Sequence, residues 1–376
     1  MPKDLSALLA KVKKDLGGAA RISHIQDVKT PFATRMPSGL DELDVALRGG
    51  FPAGSMHQLF GPDGVGKDYI SNCVMAQCQE RYGDDSNIFW MSFGYRPDRN
   101  FMRMAGVKIA YTDEELAFQE IDPKKATKAQ RGETVGNIIF IDIDPVKAAK
   151  KPAETMLQTV VEFIRSNEFH LGIINELGSG ETRHDVDKKL GEEAKMANWS
   201  KLMSDFCRKF YNALRKDGDD GEPNSTTLLV INPVRANLNA RTARFQEYTQ
   251  PSGFALKHAK AVDIHLTPGP KIKDEESNPI GKVVRWKIGK GKHGISEGAS
   301  GSFEFFFYKG ADAIRTLGAM AKSLEVLTRR GPYYYLPEEV YGEQIRGGLS
   351  GAIELLRQDP ELAKKVRNLV LEKAKE

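Results

Sequence analysis

The stretch 56–68, MHQLFGPDGVGKD, constrains this chain more than any other. An apolar run, a glycine-rich loop and a helical segment follow one another without a gap, the context in which G-x-x-x-x-G-K surrounds a phosphate. Loop amides turn inward, the following helix contributes the positive end of its dipole, and a lysine adds a point charge. Gly61, Pro62, Asp63, Gly64, Val65, Gly66 and Lys67, with Asp68 and Tyr69 opening the helix, are the candidate nucleotide-binding residues. The competing reading is an ordinary glycine-rich turn between strand and helix. One position breaks the motif: Asp68 stands where a serine or threonine hydroxyl would ligate the nucleotide's magnesium ion. A carboxylate is a good magnesium ligand, so Asp68 is the candidate metal residue. It also brings a negative charge against the phosphates, so affinity is expected to be weak or strongly magnesium-dependent.

Around this unit short apolar runs at 88–91, 138–141, 171–174 and 228–231 alternate with helix-length segments. That alternation predicts an α/β fold with a mostly parallel sheet covered on both faces. After residue 260 the text turns β-rich (AVDIHLTPGP, VVRWKIGKGK, SFEFFFYKG), predicting further strands on the same sheet. An amphipathic helix at 4–16 reads as an N-terminal arm. The stretch from 312 onward reads as a return to helices around PYYYLPEEVYG, ending in a charged helix. Expected boundaries are therefore 1–37 for an N-terminal helix and arm, 38–311 for a core carrying the glycine-rich loop, and 312–376 for a small C-terminal α+β domain. Segments 111–136 and 216–225 read as surface insertions, being charged and rich in turn formers.

Three cysteines, Cys73, Cys78 and Cys207, have neither CxxC spacing nor a nearby histidine, so neither a disulfide framework nor a zinc site is expected. No apolar run is long enough to span a membrane, and the N-terminus lacks the apolar core of a signal peptide. A cytoplasmic protein with no membrane partner is the expectation. The formal net charge is only +4. Segment 235–260 nevertheless carries Arg235, Arg241, Arg244, Lys257 and Lys260 against Glu247 alone, a local excess equal to that of the whole chain. Asn237, Asn239, Phe245 and Tyr248 interleave with these bases, a pattern suited to single-stranded nucleic acid. A solvated basic loop is the alternative.

With these stretches in order, the chain resembles the RecA recombinase family over roughly 5–370. The matching text is SGLDELDVALRGGFPAGSMHQLFGPDGVGKD, TLLVINPVRANLN, SGFALKHAKAVDIHL, VVRWKIGKGKHG and the tail from EVLTRRGPYYYLPEEVYG onward. The resemblance implies a RecA-like P-loop core, ATP and magnesium as cofactors, and self-association into a helical filament. It also implies single-stranded and double-stranded DNA as partners, and homologous pairing and strand exchange as the activity. It further implies that Phe101 stacks on adenine, a buried core ring being the competing reading. Lys290 and Lys292 match a pair reaching across the subunit interface toward the γ-phosphate.

The positions where that family carries its hydrolytic and sensing groups are altered: Gly94 for the water-activating glutamate, Asn175 for the magnesium-ordering aspartate, and Pro233 for the γ-phosphate-sensing glutamine. Glu176, and Asp142 with Asp144 in IIFIDIDP, are candidate substitutes. The expectation is a protein that binds single-stranded DNA as a filament with nucleotide between subunits and slow or absent hydrolysis. The alternative is a catalytically inactive paralogue that coats DNA, or acts as a mediator, without ATP. The loop at 178–196, with Arg183, His184, Lys188, Lys189 and Lys195, matches the family's other DNA-contacting loop, but its charge is balanced.

Overall fold

The computed structural model describes residues 3–15, 25–128, 130–132, 135–142, 152–186, 196–217, 221–236, 248–249 and 253–374. Strands β1 (Met56–Gly61), β2 (Asn87–Ser92), β3 (Asn137–Ile141), β4 (Leu171–Asn175) and β5 (Thr227–Pro233) fall on the five apolar runs read from the sequence. β6 (Val262–Lys273), β7 (Pro279–Gly291), β8 (Ser300–Phe306) and β9 (Gly310–Ala311) follow from the β-rich text. They form one nine-stranded sheet of order β9-β8-β7-β6-β1-β5-β4-β2-β3. From β6 through β3 neighbouring strands are parallel, and from β6 to β9 they are antiparallel. The sheet is thus a parallel α/β core extended by a meander.

Continuous apolar strands arise because both faces are covered. Ile88 and Trp90 of β2, Ile173 of β4, and Leu229 and Ile231 of β5 pack on one face with helix α3. Their neighbours Phe89, Met91, Ile174, Leu228 and Val230 pack on the other, as the two-residue period of a strand requires. The helices in chain order are α1 (Lys3–Asp15), α2 (Asp41–Ala46), α3 (Lys67–Tyr82), α4 (Arg99–Met104), α5 (Asp113–Phe118), α6 (Pro152–Ser166), α7 (Met196–Leu214), α8 (Gly253–Ala259), α9 (Ala313–Ser323), α10 (Gly348–Gln358) and α11 (Pro360–Lys373). In α6, Ala153, Met156, Leu157, Val160, Val161 and Ile164 are buried, the spacing of a single helical face. At the start of segment 111–136, Thr112 and Glu115 close a capping box on α5, and Arg103 binds Glu115 at 2.9 Å.

Helices α9, α10 and α11 enclose a separate apolar cluster with Leu327, Tyr334 and Ile345. Between α9 and α10, Tyr333–Tyr335 is a strand paired with Thr328–Arg330. Gly331 at φ 62° makes the intervening turn, and the Tyr334 ring enters the apolar cluster. Arg367 of α11 donates to Asp41 at 2.7 Å, tying this cluster to α2 and the core. Cys73, Cys78 and Cys207 are free, buried thiols. Among the described residues no helix is long and apolar enough to cross a membrane.

Candidate phosphate and nucleic-acid site

The loop 61–66 leaves the C-terminal end of β1 at the centre of the sheet and feeds α3, whose N-cap Gly66 has a left-handed φ of 112°. Only glycine takes that conformation without strain. Space beside Gly64 is open, with nothing within 4 Å of a Cβ built there. The Lys67 ammonium folds back on the loop and donates to the carbonyls of Gly61 and Pro62, at 2.8 Å each. Burial lowers its pKa, opposed by the charges of Asp68, Asp63 and Glu176. Lys282 of β7 donates to the Gly64 carbonyl, a second cation at the loop that sequence alone did not single out; the register of β7 places it there.

The β-strand ends beside the loop bring the altered positions together. Pro233 pairs with Gly61 across β5 and β1. Asn175 is buried at the end of β4, pairs with Ser92, and accepts from the Phe93 amide at 3.1 Å. Gly94 follows β2, and the Glu176 carboxylate lies over it. Tyr95 donates its hydroxyl to Asp68 Oδ2 at 2.6 Å, a contact no spacing rule reveals because 26 residues of α3 and β2 intervene. Burial, followed by the Asp68 hydrogen bond, raises the Tyr95 pKa. Burial also raises the Glu176 carboxyl, assisted by Asp68 and Asp63 and opposed by Lys67.

This donor set fits a magnesium nucleotide. Asp68 Oδ1 is buried without a hydrogen-bond partner, and nucleotide-bound magnesium takes one or two carboxylates and completes its shell with phosphate oxygens and water. Asp68 would hold the ion and Lys67 with the loop amides would hold the phosphates; the bound ion would neutralise phosphate charge. Among the described residues no group of three His, Cys, Asp or Glu side chains forms an all-protein metal cage.

Several sequence-derived candidates sit elsewhere. Asp142, at the end of edge strand β3, is bound by Arg96 at 2.7 Å, on the far side of β2 from the loop, and so does not substitute for a site carboxylate. Asp144 lies outside the described residues. Tyr69 points away from the phosphates: its ring is buried against Phe305, and its hydroxyl accepts from the Ala311 amide at 2.7 Å. Val65 likewise places its side chain in the core, leaving only backbone for a ligand. Phe101 is half-buried and meets Tyr69 and Phe305 edge-on. Lys290 donates to the carbonyls of Lys257 and His258, and Lys292 reaches His258 at 3.5 Å. Within one chain, therefore, the pair caps the C-terminus of α8, where cations complement the dipole.

Of the basic segment, Asn237, Arg241, Arg244 and Phe245 lie outside the described residues. Its first two residues fold back on its middle in a two-residue ladder pairing Arg235 with Thr249 and Ala236 with Tyr248. Lys257 is exposed on α8. Lys260 is a correction: it is 1% exposed, donates to Gln58 at 2.7 Å and pairs with Asp263 at 2.6 Å. A lysine committed to a buried ion pair is not offered to DNA. In the other loop Arg183 binds the His184 ring, while Lys188, Lys189 and Lys195 are outside the described residues.

A parallel α/β sheet with a glycine-rich loop after its central strand defines a P-loop fold. No family model matches the sequence, yet curated proteins align with it almost end to end. A Protein RecA from Nostoc punctiforme is 24% identical over 375 residues, covering 99% of this chain and 89% of that protein. One from Prochlorococcus marinus is 25% identical over 380 residues, covering 100% and 85%, and one from Nocardioides sp. is 25% identical over 374 residues, covering 99% and 91%. A crystal structure of the RadB recombinase covers 73% of this chain and 98% of its own at 14% identity, with a TM-score of 0.46. The chain is thus similar along its whole length to curated proteins named RecA.

Proposed function

We propose that this protein acts in DNA recombination or repair by assembling on single-stranded DNA as a filament that supports homologous pairing, with ATP held between subunits and hydrolysed slowly. The observation that carries this reading is the built phosphate loop: open space at Gly64, a left-handed Gly66 opening α3, and Lys67 folded over the loop. Lys290 and Lys292, at the C-terminus of α8, are the residues that would meet the nucleotide of a neighbouring subunit. Basic segment 235–247 with exposed Lys257 would follow the DNA backbone, and Phe245 and Tyr248 would contact bases.

Slow turnover follows from the altered positions Gly94, Asn175 and Pro233, while Asp68 acts on affinity. Two like charges about 4 Å apart repel by about 4 kcal/mol at an effective dielectric of about 20, so phosphates enter readily only with magnesium.

The second reading, a DNA-coating or mediator protein that works without nucleotide, draws on a specific feature. Lys67 is already satisfied by two carbonyls, and Asp68 Oδ2 by Tyr95. The deciding experiment is ATP turnover and DNA binding with magnesium, with and without single-stranded DNA, beside Lys67→Ala. DNA-stimulated turnover lost in Lys67→Ala supports the first reading. DNA binding unchanged by nucleotide and by Lys67→Ala, with no turnover, supports the second.

A further inference from the structure

The neighbour of Gly94 occupies the space that a side chain at 94 would take. A Cβ built on Gly94 would overlap the Glu176 carboxylate, lying 2.6 Å from the carboxyl carbon. Its backbone is not among the positive-φ positions, so the requirement is volume and not backbone conformation. Glu176 itself adopts a left-handed φ of 54° immediately after β4, a conformation costing about 1 kcal/mol or more for a residue with a side chain. That turn carries the carboxylate across to the end of β2, over Gly94, where Lys67, Asp68 and Asp63 act on it.

An acidic side chain held against a phosphate loop opposes anion binding, and its strained backbone adds to the cost. Packing does not explain the charge, since a neutral side chain of the same length at 176 would fill the same space without repulsion. A carboxylate at that point is useful where a water lies between it and a terminal phosphate.

We propose that Glu176 is the general base that takes a proton from the water attacking the terminal phosphate of a nucleotide held by loop 61–67, and that position 94 is glycine to admit it. The inference rests on the nucleotide reading above. The water oxygen bonds to the γ-phosphorus as the bond to the β,γ-bridging oxygen breaks. ADP leaves with that electron pair, one water proton passes to Glu176 Oε2 and on to solvent, and the other stays on the released phosphate.

The test measures turnover with magnesium, ATP and single-stranded DNA, and affinity by calorimetry with a non-hydrolysable β,γ-imido ATP analogue. Glu176→Gln is expected to lower turnover by about 100-fold or more, within the range for a positioned base. It should bind the analogue as tightly as wild type or tighter, having lost a like charge. Gly94→Ala, whose methyl displaces the carboxylate, should show the same loss. Gly94→Glu combined with Glu176→Gly, which returns a carboxylate from the other strand, should recover turnover to at least about tenfold above Glu176→Gln.

Turnover in Glu176→Gln within about threefold of wild type overturns the inference. So does a swap variant that binds the analogue yet stays at the Glu176→Gln rate, and so does a wild type that binds it without turning ATP over any faster than Glu176→Gln; these leave the nucleotide reading standing. A wild type that does not bind the analogue removes both.

Discussion

Asp68, Tyr95, Asn175 and Glu176 come from three elements and converge on the head of α3. Asp68 is the position where one atom type matters most: a hydroxyl would ligate magnesium without charge, whereas its carboxylate adds repulsion that metal and Tyr95 must offset. Asp68→Thr is therefore expected to tighten ATP binding by at least about tenfold, equivalent to about 1.4 kcal/mol, and to reduce its magnesium dependence. Calorimetric titration across magnesium concentrations checks this, and equal or weaker binding in the variant would mean that Asp68 contributes as a ligand more than it repels. The altered motif residue was readable from spacing. Its partner was not, because Tyr95 reaches Asp68 only once β2 lies beside the loop.

At the scale of elements, apolar runs predicted the strands well because a strand buried on both faces has no polar residue to blur its edges, as in β2 and β5. Short polar segments read less well. Within α2, Asp44 is buried and accepts from the amides of Ser38 and Gly39 at 2.6 and 3.2 Å, fixing the turn that enters the helix. Burial raises its pKa to about 7, partly opposed by those hydrogen bonds. Between the ordinary carboxylate range and about pH 7 the folded chain thus holds this proton more tightly than the unfolded one, and stability falls as pH rises through that window. Denaturant midpoints from pH 5 to pH 8 should show the decline, and Asp44→Asn should flatten it. An unchanged slope in the variant would assign the decline to other groups. The same kind of burial misled the reading of Lys260: charge within a basic stretch suggests a solvated face, whereas the start of β6 carries Asp263 to meet it.

Across the whole molecule, the proposed DNA surface and the fold are separable by experiment. Arg241→Ala with Arg244→Ala should weaken single-strand binding and reduce the salt slope by about one unit or more, each lost phosphate contact contributing about 0.7, without changing stability. Lys260→Met should do the reverse. Removing one partner of a buried ion pair destabilises by about 3 kcal/mol or more, while the salt slope of DNA binding stays at its wild-type value. Fluorescence anisotropy across salt, beside chemical denaturation, reads both, and an altered salt slope in Lys260→Met would return that residue to the DNA surface. The tail cluster of α9, α10 and α11 joins the core through Arg367 and Asp41, a link 326 residues long in sequence that no local pattern reveals.

The sequence by itself determined the phosphate loop, the parallel strands and the concentration of positive charge at 235–260, because each is written in residues close together along the chain. Which charges serve function was decided by the tertiary structure. Strand order sets β4 beside β2 and the start of β6 beside β1, and that adjacency places Glu176 over Gly94, withdraws Lys260 into a buried pair and leaves Asp142 bound at the sheet edge. An interaction energy depends on distance and burial in space, and neither is fixed until the sheet is assembled.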